Sequence, residues 1–88
     1  MGKFRVFIKP SAAKELEAIP QKKDRQRIVH RIEMLADDPR PPGSHKLTGH
    51  HGYRIRQGRY RIVYEIADDA LVVLVIKIAD RKNVYREL

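Results

Sequence analysis

The spacing of apolar and polar positions changes several times along this chain, and each change marks an element. Phe4, Val6 and Ile8 alternate with Arg5 and Phe7, a period of two that predicts a short strand. Pro10 ends it, and Ser11 is a good N-cap for a helix over Ala12 to Ile19. Ala12, Leu16 and Ile19 fall at i, i+4 and i+7 and form one apolar stripe, which Pro20 terminates. A second helix is predicted from about Gln21 to Ala36, with Ile28, Ile32, Leu35 and Ala36 inward and Arg25, Arg27, Arg31 and Glu33 toward water. Asp37-Asp38-Pro39 stops it, because the residue before proline disfavours helical backbone. Two helices with so short a break form an antiparallel hairpin.

Arg40 to Gly49 reads as a loop with Pro41-Pro42-Gly43 as its stiff centre. Three strand signals follow, at Tyr53–Arg56, Arg59–Ile66 and Leu71–Ile78, separated by turns at Gln57-Gly58 and Ala67-Asp68-Asp69-Ala70. The last run is apolar on both faces, as an interior strand is. The order β-α-α-β-β-β predicts one α+β domain over residues 1–88, a helical hairpin packed on one face of a mostly antiparallel, twisted sheet.

The turn at Gln57-Gly58 carries a sharper expectation. As a two-residue loop it sets Arg56 opposite Arg59, Ile55 opposite Tyr60 and Arg54 opposite Arg61. Alternation along strands then gathers four arginines on one face, with Ile55, Tyr60 and Ile62 on the other. Like charges directly opposite one another destabilise a sheet. Such a patch makes physical sense where a phosphate backbone settles on it, since planar guanidinium groups match phosphate oxygens.

Charge distribution strengthens this reading. The net charge is +8, and small basic domains usually meet a polyanion. Residues 11–38 are balanced, whereas residues 39–64 hold Arg40, Lys46, Arg54, Arg56, Arg59 and Arg61 and no acid. The chain has no cysteine, which excludes thiol catalysis and suits a reducing cytoplasm. No apolar run reaches membrane-spanning length, and Met1 to Arg5 lacks a secretory signal's apolar core. His45, His50 and His51 suggest a metal or an acid–base pair. Adjacent loop histidines rarely aim at one centre and no acid lies near, so no metal or cofactor is expected.

Tyr53-Arg54-Ile55-Arg56 followed by Tyr60-Arg61-Ile62-Val63-Tyr64, with Lys46-Leu47-Thr48-Gly49 before them, resembles the centre of the RelE/ParE toxin superfamily. The closing stretch from Val75 to Arg86 resembles its RelE branch. The likeness implies a RelE-type toxin, a ribosome-dependent endoribonuclease that cuts mRNA and is held inactive by a RelB-like antitoxin. It also implies that Arg61 contacts the scissile phosphate, that Arg81 is a second catalytic arginine and that Tyr85 is the catalytic tyrosine. Arg54 and Arg56 stand where well-studied members carry lysines, and Lys46 matches a further RNA-contacting region; Arg59 completes the phosphate-binding set on the predicted face.

The chemistry has its own logic. RNA cleaves when its 2′-hydroxyl is deprotonated and aligned with the neighbouring phosphate, so a protein must align, stabilise charge and move protons. Arg61 with Arg54 or Arg56 supplies the charge. Tyr85 is a proton acceptor or a stacking platform, and nearby arginines favour its phenolate. Arginines are poorer general acids than lysines, so a lysine-based proton role is not carried over to Arg54 and Arg56.

Two other functions fit the same chain. One is a ParE-like toxin that poisons DNA gyrase, against which Arg61, Arg81 and Tyr85 together argue. The other is a basic RNA-binding module without catalysis. A partner is also expected, because the doubly apolar Leu71–Ile78 strand exceeds what two helices can cover. Its open side, or a groove beside the helices, suits an amphipathic antitoxin segment, so the chain is a monomer alone or a heteromer with its antitoxin. Arg61 is expected to be exposed, and Arg61→Ala to abolish cutting with the fold intact.

Overall fold

The computed structural model describes residues 3–49 and 51–80. The elements are β1 (Arg5–Ile8), α1 (Pro10–Glu17), α2 (Lys22–Met34), β2 (His45–Lys46), β3 (Gly52–Gln57), β4 (Tyr60–Ala67) and β5 (Val72–Asp80). The strands form one sheet in the order β1-β5-β4-β3-β2. β1 runs parallel to β5, and the other neighbours are antiparallel. This is the α+β arrangement expected, with an extra two-residue strand inside what reads in sequence as a loop.

Helix α1 begins two residues earlier than expected. Lys9 is its N-cap and Pro10 occupies the first turn, where proline's fixed φ suits a helix and its missing N–H loses nothing. The two helices cover one face of the sheet. Ala12, Ile19, Ile28, Ile32 and Leu35 pack there against Ile55, Tyr60, Ile62, Tyr64, Val73, Val75 and Ile78. Arg25 does not face water as its spacing suggests. It is half-buried, and its guanidinium donates to the carbonyls of Ile19 and Pro20, tying α2 to the break that precedes it.

Strand β5 solves a patterning problem. Strict alternation would place Lys77 on the same face as Val73 and Val75. The register instead shifts: Val63 faces Lys77 and Tyr64 faces Val75, leaving Ile76 as the extra residue of a bulge. Val73, Val75 and Ile78 thereby all reach the helical side, and Lys77 is left to reach the edge of β5. Beyond Val75, where β1 has ended, α1 closes the edge of β5. Glu15 accepts the Ile78 amide at 3.0 Å and pairs with Lys77 Nζ at 2.6 Å.

Candidate nucleic-acid interface

Gly58 sets the register of the basic hairpin. Its φ is +61°, and no other residue from 44 to 70 except Gly49 has positive φ among those described. A two-residue hairpin loop of the II′ kind needs positive φ at its first central position, which glycine provides without strain. The loop is therefore Gly58-Arg59, with Gln57 facing Tyr60. The expected Gln57-Gly58 loop would have demanded that conformation of Gln57.

Moving the loop by one residue moves every partner by two places along β4. Arg56 faces Arg61 rather than Arg59, Ile55 faces Ile62, and Arg54 faces Val63. An even shift preserves sidedness, so Arg54, Arg56 and Arg61 still share the face that the helices leave open. Arg59 departs into the turn. There its Nε lies 2.8 Å from Asp80 Oδ2, and this hydrogen bond raises the guanidinium's pKa above its ordinary value. Asp80 thus binds Arg59.

The three arginines differ in depth. Arg56 is exposed and Arg54 half-buried, but Arg61 is only 2% exposed. The expectation of an exposed Arg61 is corrected: it sits on the middle strand of five, between Arg56 on β3 and Ala79 on β5. Arg81 and Tyr85 lie outside the described residues.

Strand β2 adds one neighbour and moves another. His45 pairs with Arg54 and Lys46 with Tyr53. Since side chains alternate, His45 is on the arginine side and Lys46 on the opposite one. β2 covers the edge of β3 only at these positions. Past them a pocket of ≈ 370 Å³ opens, lined by Arg31, Gly43, His45, Arg54, Ile55 and Arg56. Sequence reasoning set His45 aside as a loop residue and sent Arg31 to solvent. Arg31 is in fact half-buried, and its Nε has no hydrogen-bond partner among the described residues. The signal was available: position 31 lies three after Ile28 and four before Leu35, on the flank of the buried stripe.

The wall of this pocket is held firmly. The Tyr64 hydroxyl donates to the Pro39 carbonyl at 2.7 Å, and burial pushes its pKa up to about 12. The Tyr64 ring stacks with Tyr53 at 6.0 Å, and the Arg40 guanidinium lies 5.2 Å above Tyr53. Arg40 also pairs with Asp68 at 2.8 Å and donates to the Tyr53 hydroxyl at 3.1 Å; these bonds raise its pKa, Asp68 contributing most. The segment from Pro39 to Ser44 is thereby anchored, and Gly43, at φ +92°, turns it toward β2. A Cβ added at Gly43 would lie 4.0 Å from Arg31 Nη2, which places that guanidinium against the bare turn.

The acid-free segment therefore does not stay unpaired as a whole. Asp68 and Asp80, from beyond it, take Arg40 and Arg59. Arg31, Arg54 and Arg56 form no ion pair with another described residue. What remains is a compact cationic site with a histidine beside it, suited to an oxyanion such as a phosphodiester. No set of three or more histidine, aspartate or glutamate side chains among the described residues is grouped to hold a metal. No helix is long and apolar enough to cross a membrane, among the same residues.

Comparison with known proteins agrees with this architecture. The family described as ParE toxin of type II toxin–antitoxin system, parDE, matches residues 6–85. A protein of Methanocaldococcus jannaschii, described as a candidate toxin RelE1, is 27% identical over 88 residues, 96% of this chain and 97% of its own. The toxin chain in the archaeal RelE–RelB complex from Pyrococcus horikoshii superposes with a TM-score of 0.77 at 27% identity, covering 90% of this chain and 96% of that one. A mutant of the E. coli toxin RelE, in complex with a peptide of the antitoxin RelB, gives 0.74 at 28% identity over 97% of this chain and 93% of that one.

Proposed function

Since the chain belongs to the ParE toxin family of type II toxin–antitoxin systems, with a RelE-type sequence and fold, we propose that it is a ribosome-dependent mRNA endoribonuclease of the cytoplasm, silenced by a RelB-like antitoxin. The observation that carries this reading is the arrangement of Arg54, Arg56 and Arg61 on the helix-free face, with Arg54 and Arg56 free of carboxylate partners among the described residues. A sheet that sets Arg56 directly against Arg61 gives up stability there. A phosphodiester between them removes the repulsion.

In this reading Arg56 and Arg54 hold the RNA backbone, and Arg61 stabilises charge on the scissile phosphate from within the sheet. Lys46 and Arg59, at the margins, steer the strand as exposed cations do. Arg81 and Tyr85 join them by resemblance. The reaction needs no metal: the 2′-oxygen attacks the adjacent phosphorus and the 5′-oxygen leaves. This set is weak without alignment of the substrate, and alignment is what a ribosome holding mRNA supplies.

The antitoxin has a place to bind. On the same open face, at the β1–β5 end, Phe7 is 45% exposed with Val72 and Leu74 half-buried beside it, and Leu71, in the turn that leads into β5, is 43% exposed. An amphipathic segment can cover this patch and carry acids to the arginines. The solved RelE–RelB complexes support such a pairing.

The test is induced expression of the wild type, Arg56→Ala and Tyr85→Ala, with primer extension on a translated mRNA. New ends confined to translated regions, lost in Tyr85→Ala and strongly reduced in Arg56→Ala, are expected. Growth arrest with intact mRNA would instead favour the ParE-like alternative, in which gyrase is the target. Absence of arrest from folded protein would favour a binding module without catalysis.

A further inference from the structure

Arginine-rich chemistry leaves one step unassigned. The arginines facing the substrate keep their protons at neutral pH, so none of them readily protonates a leaving oxygen. The imidazole is the side chain whose ordinary range permits this near pH 7. His45 is the histidine that the fold brings to the arginine side, through its pairing with Arg54, and it lines the pocket with Arg31, Arg54 and Arg56.

We propose that His45 is the general acid of RNA cleavage in this protein, protonating the departing 5′-oxygen of a phosphodiester seated against Arg54 and Arg56. The proposal rests on the ribonuclease reading above and adds a residue to it. Three features argue for it. His45 is exposed, so a substrate can reach it. Its side chain makes no hydrogen bond with another described residue, which leaves its ring protons for a ligand. It is fixed rather than floating, because β2 is hydrogen-bonded to β3 and its entry loop is pinned through Pro39, Arg40 and Tyr64.

The groups that face His45 across the pocket are Arg31 from α2 and Arg54 and Arg56 from β3, with no acid among the lining residues. A phosphodiester seated there brings negative charge into a pocket lined by these cations. The 2′-oxygen forms a bond to phosphorus as the bond from phosphorus to the 5′-oxygen breaks. The 2′ proton passes to solvent water, and the 5′-oxygen takes the imidazolium proton. The products are a 2′,3′-cyclic phosphate and a 5′-hydroxyl, and solvent reprotonates His45.

The experiment uses the full chain and ribosomes programmed with a short mRNA, in single turnover across pH, for the wild type and His45→Gln. A second mRNA carries sulfur in place of the scissile 5′-oxygen, because a thiolate leaves without a proton. His45→Gln is expected to slow the normal mRNA by about 10²- to 10⁴-fold and to flatten the alkaline limb of the rate profile. On the sulfur substrate it is expected to cut at close to the wild-type rate. Equal slowing on both substrates, or no slowing on either, overturns the assignment. A wild type that leaves both mRNAs intact defeats the ribonuclease reading itself, and the assignment with it.

Discussion

The helix-free face of the sheet has two ends built on opposite principles. At the β3–β4 end, Arg54, Arg56 and Arg61 crowd like charges onto adjacent strands, an arrangement that opposes folding. At the β1–β5 end, Phe7, with Leu71 in the turn that leads into β5, leaves apolar surface in water, which weakens nothing locally but favours association. One end waits for an anion and the other for a hydrophobic cover. Under the proposed function, sharing a single face lets RNA and antitoxin exclude one another.

The sharpest way to break this contrast is Arg61→Ala. Removing a side chain that is only 2% exposed empties part of the middle of the sheet. Chemical denaturation should show a loss of about 3 kcal/mol, together with loss of mRNA cleavage. Arg56→Ala separates the two effects. It should cut cleavage about 10- to 100-fold and reduce the salt dependence of RNA binding, while the denaturation midpoint holds or rises as the repulsion at Arg61 is relieved. The opposite end is tested by Phe7→Asp combined with Leu71→Asp. Cleavage should stay intact, while antitoxin affinity by calorimetry falls at least about tenfold, near 1.4 kcal/mol. Equal antitoxin affinity would place the cover elsewhere.

A smaller effect concerns the scaffold of the pocket. Burial pushes the Tyr64 phenol up to about 12 from the usual 10.0. The unfolded chain ionises first as pH rises, so stability falls between about pH 10 and 12 and that contribution is complete below the lower value. Tyr64→Phe should flatten this slope relative to the wild type, with a cost near 1 kcal/mol at neutral pH for the hydroxyl bond to Pro39. Smallest of all is Asp68→Asn, which breaks an exposed ion pair with Arg40 and should leave the denaturation midpoint unchanged.

Much of this was legible in residue order because it depends on period. The stripe Ile28, Ile32, Leu35 and the alternation around Ile55 and Ile62 belong to the core, as their spacing says. The sidedness of Arg54, Arg56 and Arg61 follows from parity and survived an incorrect register. Less legible was anything that turns on a single backbone angle or a distant neighbour. The hairpin partners depended on which residue takes positive φ, and β2 is too short to leave a periodic trace. Arg31 and His45 entered the site only because the loop before β2 folds back on Tyr53 and Tyr64.

Composition, periodicity and charge order by themselves determined that this is a basic α+β chain with a helical hairpin, a three-strand meander and an arginine-rich centre. These properties reside in nearest neighbours along the chain, where sterics and alternation act directly. Tertiary structure alone decided which cations stay unpaired. Asp68 and Asp80 lie outside the acid-free segment in sequence, yet they reach Arg40 and Arg59 once the strands align. Charge pairing depends on distance in space, and the sheet brings together residues that the chain keeps 28 and 21 positions apart. The cationic pocket is what that pairing leaves over.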